Sequence, residues 1–321
     1  MNKVPLRKCG NSGLYLPAVS LGLWHNFGFQ QSLENAENMI IKAFEMGITH
    51  FDLANNYGPP PGSAESVFGQ VLERSLATHR DEILVTTKAG YGMWDGPYGD
   101  GGSRKYLISS LDQSLKRLKL DYVDIFYHHR YTPDTPIEET MRALEQIVRS
   151  GKALYVGISN YPAAQASDAI QMLKSWGVPI IVHQPKYNML DRTPEKDLFG
   201  VLEKEGLGAV VFSPLAQGLL TGKYLKEIPA NSRVNDPSGF LQKDDITAEL
   251  NKKLTILKEI ADNRNQKMSQ LALIWALRNP VVASVIIGIS SSKQLLENIE
   301  ALDNMTLSEE ELNLIDQTLL A

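Results

Sequence analysis

The sequence predicts an α/β chain folded as one (β/α)8 TIM barrel over residues 1–321, with an N-terminal β-hairpin at the barrel bottom and two extra helices near the C-terminus. Three observations carry that prediction. Eight short β-like runs alternate with longer amphipathic stretches, and strands alternating with helices pair in parallel through right-handed crossovers. A length of 321 residues suits one barrel with insertions, and no linker-like or low-complexity tract divides the chain. No G-x-G-x-x-G turn follows the first strands, so a doubly wound dinucleotide-binding sheet is the weaker alternative.

The elements follow in order. The segment Val4–Leu16, turning at Gly10–Gly13, reads as the hairpin. Val19–Gly22 is the first barrel strand, and Leu33–Met46 is a helix with Ala36, Met39, Ile40, Ala43 and Phe44 at helical spacing. Thr49–Asp52 is a strand, then a helix runs from Ala64 to about Ser75. Ile83–Lys88 is β-branched and extended, Ser103–Leu118 is helical, and Tyr122–His129 is a strand. Thr135, Pro136 and Glu138 read as N-cap, N1 and N3 of a helix reaching Ser150. Tyr155–Ser159 is a strand followed by a helix to Trp176. Ile180–Gln184 is a strand followed by a helix over 193–205, and Gly208–Phe212 is a strand. A loop over 213–247 leads to helices at 248–263 and 269–279. The last strand is Ala283–Ile287, with helices at 293–302 and from Ser308, where Ser308 and Glu311 form a capping box.

Composition narrows the function classes. Hydrophobic residues make up 43% and charged residues 21%, an ordinary globular balance. The net charge is −5 with no basic block, which argues against a nucleic-acid partner. Cys9 is the single cysteine, so no internal disulfide forms. No apolar run approaches the ~18 residues of a membrane span, and no signal peptide is evident. A soluble cytoplasmic protein is expected.

In a barrel the functional groups sit at the C-terminal ends of strands. The polar residues there are Asp52 with Tyr57 in the following loop, Lys88, His129, Ser159–Asn160 and Gln184. The first four suit carbonyl reduction. Tyrosine, with a pKa near ~10, is a poor acid at neutral pH. A neighbouring Lys favours the phenolate and is expected to lower that pKa, and an Asp holds the Lys in place. A His within reach of the same oxygen orients the carbonyl. Neither His nor Cys falls at metal-ligand spacing, so no metal is expected and an organic hydride carrier is implied. His128 alternates to the opposite side from His129 and reads as packed under the helices. His25, His50, His79 and His183 read as structural.

The segments Phe51–Gly58, Thr86–Gly90 and Asp124–Arg130 together resemble the aldo-keto reductase superfamily, and the likeness runs over essentially the whole chain. Within it, Gly157–Tyr161, Gln184–Asn188 and Phe212–Gly218 are similar to the branch of the potassium-channel β subunits and the bacterial L-glyceraldehyde-3-phosphate (methylglyoxal) reductases. Pro59–Gly62 and the 90–104 loop point more to the bacterial reductases. The resemblance implies Tyr57 as general acid, Asp52 and Lys88 as its tuning pair, and His129 as the substrate-orienting residue. It places Ser159, Asn160 and Gln184 on the nicotinamide carboxamide and Phe212 stacked on the ring, with Trp24, Ser213, Leu215 and Gln217 beside the cofactor. Lys223 and Arg233 would meet its phosphates. Gly288, Ser290 and Gln294 would lie at the 2′-phosphate, with Glu297 and Asn298 at the adenine.

NADP(H) is therefore the expected cofactor, since a helix N-terminus lined with hydroxyls suits an added phosphate. Trp24, Tyr91, Trp94 and Arg130 are expected to line the substrate pocket, with Arg130 able to attract a phosphate or carboxylate. Ser291 with Gln294 also fits a capping box. The chain stops at Ala321, where relatives often continue, and a more open site is expected. The implied function is NADPH-dependent reduction of small aldehydes and ketones, methylglyoxal or L-glyceraldehyde 3-phosphate among them. An NADP(H)-sensing regulatory subunit is the alternative. A homo-oligomer, tetrameric in this branch, is also implied.

Overall fold

The computed structural model describes residues 4–225, 234 and 241–320. Strands β1 (Leu6–Lys8) and β2 (Tyr15–Pro17) form an antiparallel hairpin. Eight parallel strands then close a barrel: β3 (Val19–Gly22), β4 (His50–Asp52), β5 (Leu84–Ala89), β6 (Val123–His128), β7 (Ala153–Ser159), β8 (Ile180–Gln184), β9 (Gly208–Val211) and β10 (Val282–Ile287), with β10 pairing back onto β3. Around it run α1 (Leu33–Glu45), α2 (Ser63–Val71), α3 (Arg104–Leu118), α4 (Ile137–Arg149), α5 (Ala163–Ser175), α6 (Thr193–Lys196), α7 (Leu198–Glu205), α8 (Ala248–Asn263), α9 (Met268–Leu277), α10 (Ser292–Ile299) and α11 (Glu309–Leu320).

Strand alternation sorts the core into two layers. One face of each strand packs against the helices through residues such as Leu21, Phe51, Val85, Phe126 and Val211. The other face fills the barrel. There Ile125, Tyr127, Val182, Val210 and Ile286 form an apolar cluster with Cys9 and Leu16 of the hairpin. The hairpin therefore stoppers the bottom: Asn11 N donates to Gly206 O at 2.8 Å and Cys9 Sγ to Ile181 O at 3.5 Å. Burial pushes the Cys9 thiol up to about 12, so it stays protonated and unreactive. Gly10, at φ +55, approaches Gly206–Gly208 so closely that a Cβ would collide with backbone.

Several boundaries differ from the sequence reading. Thr135 does not cap α4. Its N–H closes a turn onto Thr132, Pro136 is the capping position, and its carbonyl accepts from Glu139 N at 2.9 Å. The helix expected over 193–205 breaks at Asp197, whose φ of −138° is not helical. The one expected from Ala64 to Ser75 is regular only to Val71 and ends in a wide turn over Leu72–Leu76. The 213–247 loop contains 3-10 turns at Ala216–Thr221 and Lys243–Asp245. The α10 helix tightens into a 3-10 turn over Glu300–Asp303. The Ser308–Glu311 capping box is present, with both bonds formed at 2.7 and 3.2 Å. The two extra helices, α8 and α11, are fastened by Arg264 to Glu311 at 2.7 Å.

Candidate active site

Four neighbouring segments bring Asp52, Tyr57, Lys88 and His129 to the C-terminal mouth. Asp52 closes β4, Lys88 lies one residue from the end of β5, and His129 directly follows β6. Tyr57 lies in the β4–α2 loop. Its N–H donates to Ala54 O at 3.0 Å, and its carbonyl accepts from Gly62 N and Ala64 N at 3.1 and 3.3 Å. That loop is therefore closed on itself and tied to the first turn of α2, which fixes the backbone that carries the phenol.

The Asp52–Lys88 pair is almost wholly buried, at 2% and 0% side-chain exposure. A buried ion pair is tolerated only when its remaining donors and acceptors are also met. Here they are. Lys88 Nζ donates to Asp52 Oδ2 at 2.5 Å and to Leu53 O at 2.6 Å, and reaches Tyr57 Oη at 3.4 Å. Asp52 Oδ1 accepts from Thr86 Oγ1 at 2.8 Å and from Gln184 Nε2 at 3.0 Å. All three ammonium protons are thus directed. The third is directed at the phenol oxygen, which accepts it and keeps its own proton free to be donated.

Lys88 does not bring the Tyr57 pKa down, contrary to the expectation from residue types. Burial, then Asp52, then Tyr91 push it well above the usual tyrosine value. Desolvation outweighs the ammonium because Asp52 neutralises most of its field. Lys88 itself is lowered by burial, against the opposing pull of Asp52. Burial, then Lys88, hold His129 well below its ordinary value, so the ring is neutral at pH 7. Its ring lies 5.8 Å from that of Tyr57 and 4.7 Å from that of Tyr91, edge-on to both, and Nδ1 has no hydrogen-bond partner. His128 points into the helix layer as expected, with Nδ1 2.6 Å from Tyr161 Oη.

A polar chain behind Asp52 was not legible as function. His50 Nε2 lies 3.1 Å from Thr86 Oγ1 and Nδ1 2.8 Å from Ser20 Oγ, which lies 2.6 Å from Ser284 Oγ. The Thr86 proton goes to Asp52, so Thr86 can only accept from His50. His50 then carries its proton on Nε2 and accepts from Ser20. His50 is a satisfied structural histidine, as read, but it also holds the threonine that holds Asp52. The available signal was strand alternation, which puts Ser20, His50, Thr86 and Ser284 on the inward face with Asp52 and Lys88.

The residues assigned to a cofactor lie along the other side of the mouth. Ser159 Oγ donates to Gln184 O at 2.8 Å, and Asn160 Nδ2 donates to His129 O at 3.1 Å. Asn160 sits at φ +53°, Ser213 at +54° and Gln217 at +57°, left-handed backbone on either side of the site. Phe212 follows β9 rather than ending it, bridged to Lys186. Leu215 begins the turn that contains Gln217, and Lys223 lies over the Tyr224 ring at 4.7 Å. Past β10, Gly288 leads to Ser290, whose N and Oγ donate to Gln294 Oε1 at 2.8 and 3.1 Å. Ser291 Oγ caps α10 through Gln294 N at 3.3 Å, but the reciprocal bond goes to Ser290. Glu297 pairs with Lys267 at 2.6 Å, and Asn298 is buried. Arg233 lies outside the described residues.

Of the pocket residues, Trp24 lies 5.9 Å from the Tyr57 ring and Tyr91 against His129. Trp94 packs on Tyr106 at 5.3 Å instead of on the four site residues. Tyr106 in turn accepts from Asn55 Nδ2 at 3.0 Å and donates to Tyr91 O at 2.5 Å, tying the pocket loop to the Tyr57 loop. Among the described residues, no group of His, Cys, Asp and Glu could hold a metal ion, and no helix is long and apolar enough to cross a membrane.

Fold and site together define an oxidoreductase built on a parallel barrel, and the chain belongs to the aldo/keto reductase family, whose model matches residues 18–319. Among its relatives is the L-glyceraldehyde 3-phosphate reductase of Escherichia coli (strain K12), 55% identical over 316 residues, covering 97% of this chain and 91% of that protein. A putative voltage-gated potassium channel subunit beta of Schizosaccharomyces pombe is 38% identical over 325 residues, 98% of this chain and 93% of that protein. A probable subunit of the same kind from Arabidopsis thaliana is 37% identical over 311 residues, 94% and 92% of the two chains.

Proposed function

We propose that this chain is an NADPH-dependent reductase of small aldehydes and ketones, with L-glyceraldehyde 3-phosphate and methylglyoxal as first candidates. The observation that carries the reading is the contact of Lys88 with the Tyr57 phenol oxygen. Lys88 Nζ reaches the phenol oxygen at 3.4 Å as a donor, which leaves the phenol's own proton available to an oxygen in the mouth. A pKa held high by burial keeps that proton in place until a developing alkoxide, a far stronger base than water, draws it off. The neutral His129 ring presents a second polar contact to the same oxygen and orients it.

The residues across the mouth fit a nicotinamide dinucleotide. Phe212 offers an aromatic face, and Asn160 and Ser159 are pinned by backbone bonds beside Gln184. The start of α10 supplies N–H groups and the hydroxyls of Ser290 and Ser291, which suit a phosphate. When bound, NADPH supplies hydride from C4 of its nicotinamide to the carbonyl carbon. Tyr57 delivers the balancing proton to the carbonyl oxygen, Asp52 and Lys88 hold Tyr57, and the apolar barrel beneath excludes water. A single buried cysteine suits the reducing cytoplasm, where we place the enzyme.

The test is NADPH consumption at 340 nm against methylglyoxal, glyceraldehyde 3-phosphate and aromatic aldehydes, with Tyr57→Phe as control. Turnover that the variant loses supports the reading. Tight NADPH binding without turnover on any aldehyde would overturn it in favour of an NADP(H)-sensing regulatory subunit.

A further inference from the structure

Arg130 follows His129 directly and stands at the rim of the mouth. Its Nε donates to Gly90 O at 2.9 Å, and its guanidinium lies over the Tyr91 ring with Cζ 4.7 Å from the centroid. Tyr91 is itself 4.7 Å from the His129 ring. The guanidinium carbon is therefore at most twice 4.7 Å from the imidazole that faces the reacting carbonyl. The Arg130 side chain is 34% exposed, and Nη2 is held by both oxygens of Asp100, at 2.9 and 2.6 Å.

We infer that Arg130 is the subsite for the anionic tail of a phosphorylated short-chain aldehyde, and that Asp100 is a built-in carboxylate which occupies that subsite until the substrate displaces it. This rests on the reductase reading above and deepens it. A triose phosphate puts five bonds of about 1.5 Å between its carbonyl oxygen and phosphorus, and hydrogen bonds of about 3 Å extend it at either end. It spans from His129 to Arg130 without strain. A guanidinium binds carboxylate and phosphate through the same planar fork, so one can replace the other. The Asp100 side chain is 54% exposed, and a screened pair of this kind is weak, so a phosphate dianion displaces it readily. The arrangement also discriminates. An aldehyde without an anionic tail, such as methylglyoxal, gains nothing from Arg130 and leaves Asp100 in place.

Two variants, Asp100→Asn and Arg130→Met, test the inference by two independent readouts. The first is the ratio of kcat/KM for glyceraldehyde 3-phosphate to that for methylglyoxal, in which a general loss of activity cancels. Asp100→Asn is expected to raise the ratio by about threefold or more, and Arg130→Met to lower it by about tenfold or more, on the scale of charge-assisted contacts. The second is calorimetric titration of inorganic phosphate onto each protein, which needs no turnover. Asp100→Asn should bind it more tightly than the parent, and Arg130→Met more weakly. A protein that reduces no phosphorylated aldehyde yet shows this phosphate ordering keeps the subsite and loses the substrate reading. A ratio and a phosphate affinity that neither variant moves would overturn the inference and leave the pair as a clamp on the 91–102 loop.

Discussion

The inside of the barrel has two unlike sectors. On the side of β3, β4 and β5 the inward residues above Leu84 are polar: Ser20, His50, Asp52, Thr86 and Lys88, joined at the seam by Ser284 of β10. On the side of β6, β8 and β9, with Ile286 of β10, they are chiefly Ile125, Tyr127, Val182 and Val210, packed on the hairpin, with Gln184 at the top of β8 reaching across to Asp52. Both are closed to water, so the difference lies in what each can hold. The polar sector passes hydrogen-bond direction from one strand to the next and ends at Tyr57. The apolar sector lowers the local dielectric that makes each of those bonds strong and each unmade bond costly. Neither would work alone: a charge pair in an all-polar interior would be wet and loose, and in an all-apolar interior its remaining donors and acceptors would be unmet.

Substitutions can break this comparison, beginning with the largest effect. Tyr57→Phe, at the end of the polar sector, should lower kcat by at least ~10², the scale of a lost general acid, with NADPH affinity kept. Fluorescence titration beside the kinetics reads both, and a variant retaining most activity would remove Tyr57 from its role. Ile125→Ala, in the apolar sector, should cost about 2–5 kcal/mol of stability by opening a cavity. Denaturant unfolding measures it, and a loss below ~1 kcal/mol would show that the stopper repacks.

Smaller effects sharpen the contrast. Burial brings His50 down from 6.5 to about 4 and His183 likewise, each below its unfolded value. The unfolded chain therefore takes up protons first as the pH falls. Stability is full above pH 6.5 and is lost progressively toward pH 4, by up to about 3 kcal/mol for each such histidine. A melting temperature flat across that window would contradict their neutral burial. Thr86→Val cuts the chain between His50 and Asp52 at constant shape and should lower kcat by about tenfold, consistent with a small misplacement of the acid. A loss of melting temperature with kcat intact would make the polar chain structural only. The smallest effect lies away from both sectors: Gln294→Glu should weaken NADPH several-fold more than NADH, through one exposed charge beside the added phosphate. Equal weakening of the two would move the phosphate elsewhere.

The sequence by itself determined the barrel, because eight parallel strands require eight crossovers and the hydrophobic periods write both out along the chain. It also pointed to Asp52, Tyr57, Lys88 and His129 at one place, because strand ends in a barrel share one mouth. Only the tertiary structure decided how the four are tuned. The rise in the Tyr57 pKa depends on burial and on how completely Asp52 cancels Lys88, neither of which is local in sequence. It likewise joined Ser284 to His50 across the closing seam, and Asp100 to Arg130 across 30 positions. Hydrogen-bond direction and charge compensation are set by what lies across the barrel, and a linear pattern carries only what lies along it.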